Sequence, residues 1–177
     1  MAGSSTPLYY WDTCLFLAWI GDEQRPSGEM DGVREVIEHC KKRNAIILTS
    51  VVTTTEVLAS KLPVGMDRLF ADLMKRIQHK GVDSKIALLA HDLRNHYAVR
   101  AGEFNGKILS VPDSIHLATA IMYRANEFHT FDGSNGHNTL GLLPLSGDVA
   151  GHKLIICKPE VKNPGLDLRK PAQQSGQ

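Results

Sequence analysis

Short, continuously apolar runs alternate along this chain with longer segments whose apolar positions follow a helical period. The runs have the length of strands covered on both faces, and they occupy residues 8–11, 45–48, 127–131 and 154–157. The helical pattern is clearest where Val33, Val36, Ile37 and Cys40 recur between charged residues. Helices are predicted over residues 14–20, 30–43, 53–62, 66–78, 85–100 and 112–125, the last with Pro112 at its first position.

This alternation of short strands and helices predicts an α/β sandwich around a mostly parallel sheet. A polar segment with Gly and Pro, residues 21–28 (GDEQRPSG), is predicted as a loop after the first helix. Residues 1–157 are expected to form one domain. Residues 158–177, rich in Pro, Gly, Gln and Lys, are expected to form an extended or disordered polar tail.

Composition narrows the possible classes of protein. The 177 residues are 42% hydrophobic and 22% charged, as in soluble globular domains. Because the net charge is only +1, any nucleic-acid site is expected to be a local patch of positive charge. Three cysteines without a CxxC pair argue against a disulfide scaffold or a zinc ribbon and fit the reducing cytoplasm. The apolar runs are too short to span a membrane, and the N-terminus lacks a signal-peptide pattern.

Four acidic residues stand at the start of a predicted helix or just beyond the end of a predicted strand: Asp12, Glu56, Asp113 and Asp132. Each has an ordinary explanation when it is considered alone. Asp12 could be a helix N-cap, Glu56 could close a capping box with Thr53, Asp113 could complement a helix dipole, and Asp132 could belong to an Asp-Gly turn.

Taken together, the four acids predict a metal site. The carboxyl ends of parallel strands lie at one edge of the sheet, where ligands bind, so acids distant in sequence can converge there. Such a cluster repels itself unless protons or a cation compensate it. Oxygen ligands without sulfur or imidazole suit a hard ion such as Mg²⁺ or Mn²⁺, which can polarise a phosphodiester and activate water.

At these residues the sequence resembles the PIN-domain family, most closely the toxin ribonucleases of the VapC type. The resemblance extends from Leu8 to Cys157, and its parts follow the family's order. The matching segments are residues 11–17 (WDTCLFL), 53–58 (TTTEVL), 90–94 (AHDLR), 112–120 (PDSIHLATA) and 129–132 (HTFD).

The resemblance implies a three-layer α/β/α sandwich with about five strands and an endoribonuclease that cleaves RNA with Mg²⁺ or Mn²⁺. Asp12, Glu56, Asp113 and Asp132 would be its catalytic, metal-holding residues. The toxin branch further implies a homodimer and an antitoxin partner. The loop of residues 21–28, the segment Gly133–Gly151 and the tail depart from a minimal toxin.

Four further residues are candidates for contact with substrate: Thr13, Arg94, Ser114 and Thr130. Ordinary β-branched packing or capping equally explains the threonines, and a helix-surface Arg is commonly solvated or paired with an acid. His116 could face either the site or the core, and a packing role is preferred.

Two other functions remain open. The first is a non-catalytic PIN-like module that binds RNA or a protein, although such a module gains little from clustered negative charge near phosphate. The second is a metal-dependent phosphatase on a similar sheet, against which the segment from Pro112 to Ala120 argues.

Overall fold

A five-stranded sheet, parallel throughout, forms the centre of the protein in the computed structural model, which describes residues 6–26, 28–57, 62–133 and 139–161. The strand order is β3-β2-β1-β4-β5, and all four strand pairings are parallel. The strands are β1 (Leu8–Trp11), β2 (Ile46–Ser50), β3 (Gln78–Lys80), β4 (Glu127–His129) and β5 (Ile156–Cys157).

In the described ranges, α-helices connect β1 to β2, β2 to β3 and β3 to β4, and a 3₁₀ turn lies between β4 and β5. The helices are α1 (Thr13–Ile20), α2 (Glu29–Lys41), α3 (Val52–Glu56), α4 (Met66–Met74), α5 (Ser84–Val99) and α6 (Val111–Met122), with 3₁₀ turns at Ala101–Phe104 and Leu143–Leu145. In these ranges we find no helix with the length and apolar character needed to cross a membrane.

Side chains alternate between the two faces of the central strand β1, and each face carries its own core. Tyr10 packs with residues of α5 and α6. Tyr9 and Trp11 pack with residues of α1, α2 and α4. The sheet is therefore the middle layer of an α/β/α sandwich, and the predicted fold class is confirmed.

Two predicted helices end at least four residues earlier than the sequence pattern indicated. The helix predicted over residues 66–78 ends at Met74, and Gln78–Lys80 forms the edge strand β3. The side chains of this strand are polar, so the sequence has no alternation of apolar residues that would predict it. Backbone pairing with β2 holds it in the sheet.

The helix predicted over residues 53–62 begins at Val52 and ends at Glu56. Val57 leaves the helix with φ −81° and ψ 96° and is buried. The β-branched residues that form most of α3 are poor helix formers, which limits its length. The predicted residues 58–61 lie outside the described part of the chain.

The beginning of the predicted tail lies across α2. Pro159 is buried, and its carbonyl oxygen would lie 2.0 Å from a Cβ atom built on Gly32. The Lys158 ammonium lies 2.6 Å from Glu29 Oε1. Gly32 therefore permits a close backbone approach that any side chain would obstruct. Residues 162–177 lie outside the described part.

Candidate active site

The four predicted acids line one open cleft of about 520 Å³ at the carboxyl edge of the sheet. Asp12 follows β1, Asp132 follows β4, Glu56 ends the helix after β2, and Asp113 lies in the first turn of α6. The parallel topology thus brings these distant positions together. The other residues around the cleft are Thr13, Cys14, Leu17, Arg25, Phe131 and Thr139.

Asp12 is held by three donors. Its Oδ1 accepts the backbone N–H of Thr13 at 2.6 Å, so Asp12 is also the N-cap of α1. Its Oδ2 accepts the hydroxyl of Thr130 at 2.8 Å and lies 3.2 Å from the Cys14 thiol. The side chain is almost fully buried, so these contacts fix the carboxylate at the bottom of the cleft.

Glu56 is held by side chains of two other helices. Its Oε2 accepts the hydroxyl of Thr13 and lies 2.9 Å from Nε2 of His116. Burial by itself would raise the pKa of Glu56, but the hydrogen bonds from His116 and Thr13 lower it below its ordinary value. Glu56 therefore stays ionised to lower pH. The capping-box explanation fails, because Glu56 is the last residue of α3 and no side chain caps the start of that helix.

The pKa values of Asp113 and Asp132 are raised above their ordinary value. Burial, and then the charges of Asp12 and Glu56, raise the pKa of Asp113, although Ser110 donates its hydroxyl to this carboxylate. Burial, and then the charges of Asp113 and Asp12, raise the pKa of Asp132 from 3.8 to about 6. Burial is the largest cause of both shifts and the neighbouring carboxylates add to it, so the surrounding protein does not offset the cost of ionising these two acids.

The residues predicted to contact substrate are spread over different environments. Thr13 lines the cleft. Thr130 is buried behind it, where its hydroxyl bonds to Asp12 and also accepts the backbone N–H of Asp132. Ser114 is buried and donates to the carbonyl of Val111, and Arg94 donates to the carbonyl of Leu109 outside the cleft. Thr130 is thus a support for two acids, and Ser114 and Arg94 are not among the cleft residues.

His116 contributes to the site in a way that sequence reasoning missed. It is fully buried, and its Nδ1 lies 2.7 Å from the hydroxyl of Tyr10, which accepts the backbone N–H of Ser50 at 3.0 Å. The ionised Glu56 can only accept, so Nε2 of His116 carries a proton directed at it. In the neutral imidazole, Nδ1 then accepts the Tyr10 hydroxyl proton. Burial lowers the pKa of His116, but Glu56 and Asp12 outweigh that effect and raise it.

The preferred packing role for His116 is therefore incomplete. His116 follows Asp113 by three residues in α6, and residues three apart are neighbours on a helix surface. This spacing could have suggested that the two residues share a site. Ser110, the N-cap of α6, was also missed, although a Ser three residues before an acid at a helix start is a recognisable capping pattern.

A second group of possible metal ligands lies away from the cleft. Among the described residues, the ligand atoms of Glu127, His129 and Cys157 lie within 4.8 Å of one another. The indole N–H of Trp11 donates to His129 Nδ1 at 3.2 Å, so the imidazole proton belongs on Nε2, which lies 2.8 Å from Glu127. A metal would need the lone pair of that nitrogen. This group is therefore better explained as a hydrogen-bonded chain between β1, β4 and β5.

Among the described residues, the cleft acids do not form a ligand group as compact as that one. Their chemistry nevertheless suits a hard divalent cation. The donor set is carboxylate oxygen, and burial and neighbouring carboxylates oppose the ionisation of Asp113 and Asp132, which a bound cation would favour.

Comparison with solved structures finds the same fold in toxin–antitoxin complexes. A chain of VapBC2 from Rickettsia felis, bound to a DNA fragment from its promoter, matches with a TM-score of 0.56 and 16% identity over 84% of this chain and 98% of that chain. A toxin–antitoxin complex from Klebsiella pneumoniae matches with a TM-score of 0.50 and 19% identity over 69% and 84%. FitAcB from Neisseria gonorrhoeae matches with a TM-score of 0.50 and 19% identity over 71% and 89%.

Comparison by sequence found no matching family model and no matching curated protein. At 16–19% identity, the structural likeness shows the fold. The chain accordingly has a PIN-like α/β/α fold, which it shares with these structures.

Proposed function

We propose that this protein is a metal-dependent ribonuclease that hydrolyses phosphodiester bonds within RNA. The observation that carries the proposal is the convergence of Asp12, Glu56, Asp113 and Asp132 on one cleft of about 520 Å³, where burial and neighbouring carboxylates raise the pKa of two of them. These carboxylates would hold Mg²⁺ or Mn²⁺. When bound, such an ion compensates the charge of the phosphodiester and makes water a stronger nucleophile.

The surrounding residues keep each carboxylate in place. Thr130 and the start of α1 orient Asp12, while Thr13 and His116 orient Glu56. These supports belong to strands, strand ends and helices, so the acids need little rearrangement to receive a cation, and such preorganisation favours catalysis. In this proposal no side chain acts as a nucleophile.

The biological setting is part of the same proposal. The matched structures are toxin–antitoxin complexes, which supports an antitoxin protein as partner and a role as the toxin of such a pair. We expect the toxin to act in the cytoplasm, where its RNA substrate is found, and to form a homodimer. Three free cysteines are consistent with a reducing compartment.

The test is RNA cleavage by the purified protein with Mn²⁺ or Mg²⁺, with EDTA, and with Asp113→Asn. Asp92→Asn provides a matched control, because Asp92 is an exposed acid on α5 outside the cleft. We expect cleavage that requires the metal and Asp113 but not Asp92. Equal cleavage by Asp113→Asn would refute the assignment of the site. Binding of RNA without cleavage, in folded and metal-loaded protein, would favour the non-catalytic module.

A further inference from the structure

Arg25 is the cation among the described residues that line the cleft. The other charged residues around this cleft are the four acids. A phosphodiester strand that approaches four carboxylates is repelled, and a bound divalent ion compensates only part of that charge. A fixed cation at the wall of the cleft would lower the remaining electrostatic cost.

The loop after α1 brings Arg25 to this position. The sequence suggested only that residues 21–28 lengthen a connection. In the structure the backbone of Glu23 bonds to the carbonyl of Ala18 at 3.0 Å, which turns the loop back over the end of α1. The guanidinium carbon of Arg25 then lies 4.0 Å from the centre of the Phe131 ring, beside Asp132.

The guanidinium is held in a defined orientation. Its Nε donates to Glu23 Oε2 at 2.9 Å, and its Nη2 lies 2.7 Å from the same oxygen. Nη1 is 3.9 Å from Glu29 Oε2, which is too far for a hydrogen bond. In the described part of the chain, Nη1 thus makes no hydrogen bond and has Glu29 as its neighbouring acid, while the guanidinium carbon lies over the Phe131 ring.

A purely structural role explains these contacts less well. Glu23 is exposed and Arg25 is partly exposed in this pair, and ion pairs so open to solvent contribute little to stability. A planar guanidinium, oriented by an aromatic ring and retaining unused N–H groups, has the geometry with which arginine binds phosphate.

We infer that Arg25, supported by Phe131, is a substrate-binding residue that contacts a backbone phosphate of the RNA strand in the cleft. This inference rests on the proposed ribonuclease function and adds to it a specific contact. It also gives a function to the loop of residues 21–28, which distinguishes this chain from a minimal toxin.

The test measures RNA binding by the full-length protein. A short fluorescein-labelled single-stranded RNA is titrated by fluorescence anisotropy in Ca²⁺, and a gel verifies that the RNA stays intact. Arg25→Gln should raise Kd about tenfold, which corresponds to about 1.4 kcal/mol, and should lower the slope of log Kd against log salt by about 0.7, the value for one phosphate of a single strand. In the cleavage assay KM should rise more than kcat falls.

Arg34→Gln is the matched control. Arg34 is paired with two acids, Asp22 and Asp31, and lies outside the cleft. Its replacement removes the same charge and should leave the binding curve almost unchanged. Arg25→Lys keeps the charge without the planar donor group, so it should bind with intermediate affinity and serves if Arg25→Gln does not fold.

These measurements distinguish a failure of the Arg25 contact from a failure of the proposed ribonuclease function. Wild-type protein that cuts RNA, together with an Arg25→Gln variant of unchanged Kd and salt slope, overturns the inference about Arg25 alone. An equal loss of affinity in Arg34→Gln overturns it as well, because the effect would then be one of overall charge. Wild-type protein that neither binds nor cuts RNA overturns the proposed function and the inference together.

Discussion

Replacing Asp132 by asparagine should stabilise the metal-free protein, even though it damages the proposed site. Burial and the neighbouring charges of Asp113 and Asp12 raise the pKa of Asp132 from 3.8 to about 6. Ionising this group therefore costs folding free energy, because the native state holds the proton more tightly than the unfolded chain. Asparagine has the shape of the protonated acid and carries no charge.

The magnitude follows from the change in pKa. About two pKa units, at roughly 1.4 kcal/mol each, give a limit of about 3 kcal/mol. Asp132 is only half-buried, so solvent screening reduces the expected gain to about 1–2 kcal/mol. The penalty is absent below about pH 4, where both states are protonated, grows as pH rises towards about 6, and is constant above that.

The assay is urea denaturation of wild-type protein and Asp132→Asn in EDTA at about pH 4 and about pH 7.5. The variant should be more stable at the higher pH and nearly equal at the lower. The exposed Asp92→Asn should change stability by no more than about 0.5 kcal/mol at either pH. Added Mn²⁺ should favour the wild-type protein, because a ligand stabilises the state that binds it. A variant that is less stable than wild type at about pH 7.5 in EDTA would refute the reasoning.

Three other predictions concern the supports of the site and the C-terminal segment. His116→Leu removes the donor to Glu56 and should lower the free energy of unfolding, measured by urea denaturation, by about 2–4 kcal/mol. His116→Gln should lower it less, because the amide can replace that donor, and equal losses in the two variants would contradict the orienting role. Thr130→Val removes a buried hydroxyl with two partners and should cost about 1–3 kcal/mol in the same assay, so an unchanged midpoint would argue against this contact. Gly32→Ala places a methyl group against the carbonyl of Pro159 and should lower the free energy of unfolding by about 2 kcal/mol. Proteolysis of the C-terminal segment should become faster, and unchanged stability would mean that this segment moves aside without cost.

The sequence alone determined the class of fold and the candidate acids. Central strands such as β1 and β2 are covered on both faces, so they consist largely of consecutive apolar residues, and this pattern predicts them from the sequence. Helix starts are visible for a similar local reason, since Pro112 and a nearby acid favour the first turn of α6. The placement of acids at strand ends follows from these local patterns together with the rule for parallel sheets.

Only the tertiary structure decided which residues support the acids. The edge strand β3 is held by backbone pairing, which a side-chain pattern cannot reveal. His116 reaches Glu56 because α6 packs beside α3, and Thr130 reaches Asp12 because β4 pairs with β1. Arg25 reaches the cleft because its loop folds back over α1. These contacts join residues distant in sequence, and their geometry depends on the packing of whole elements, which no local pattern in the chain specifies.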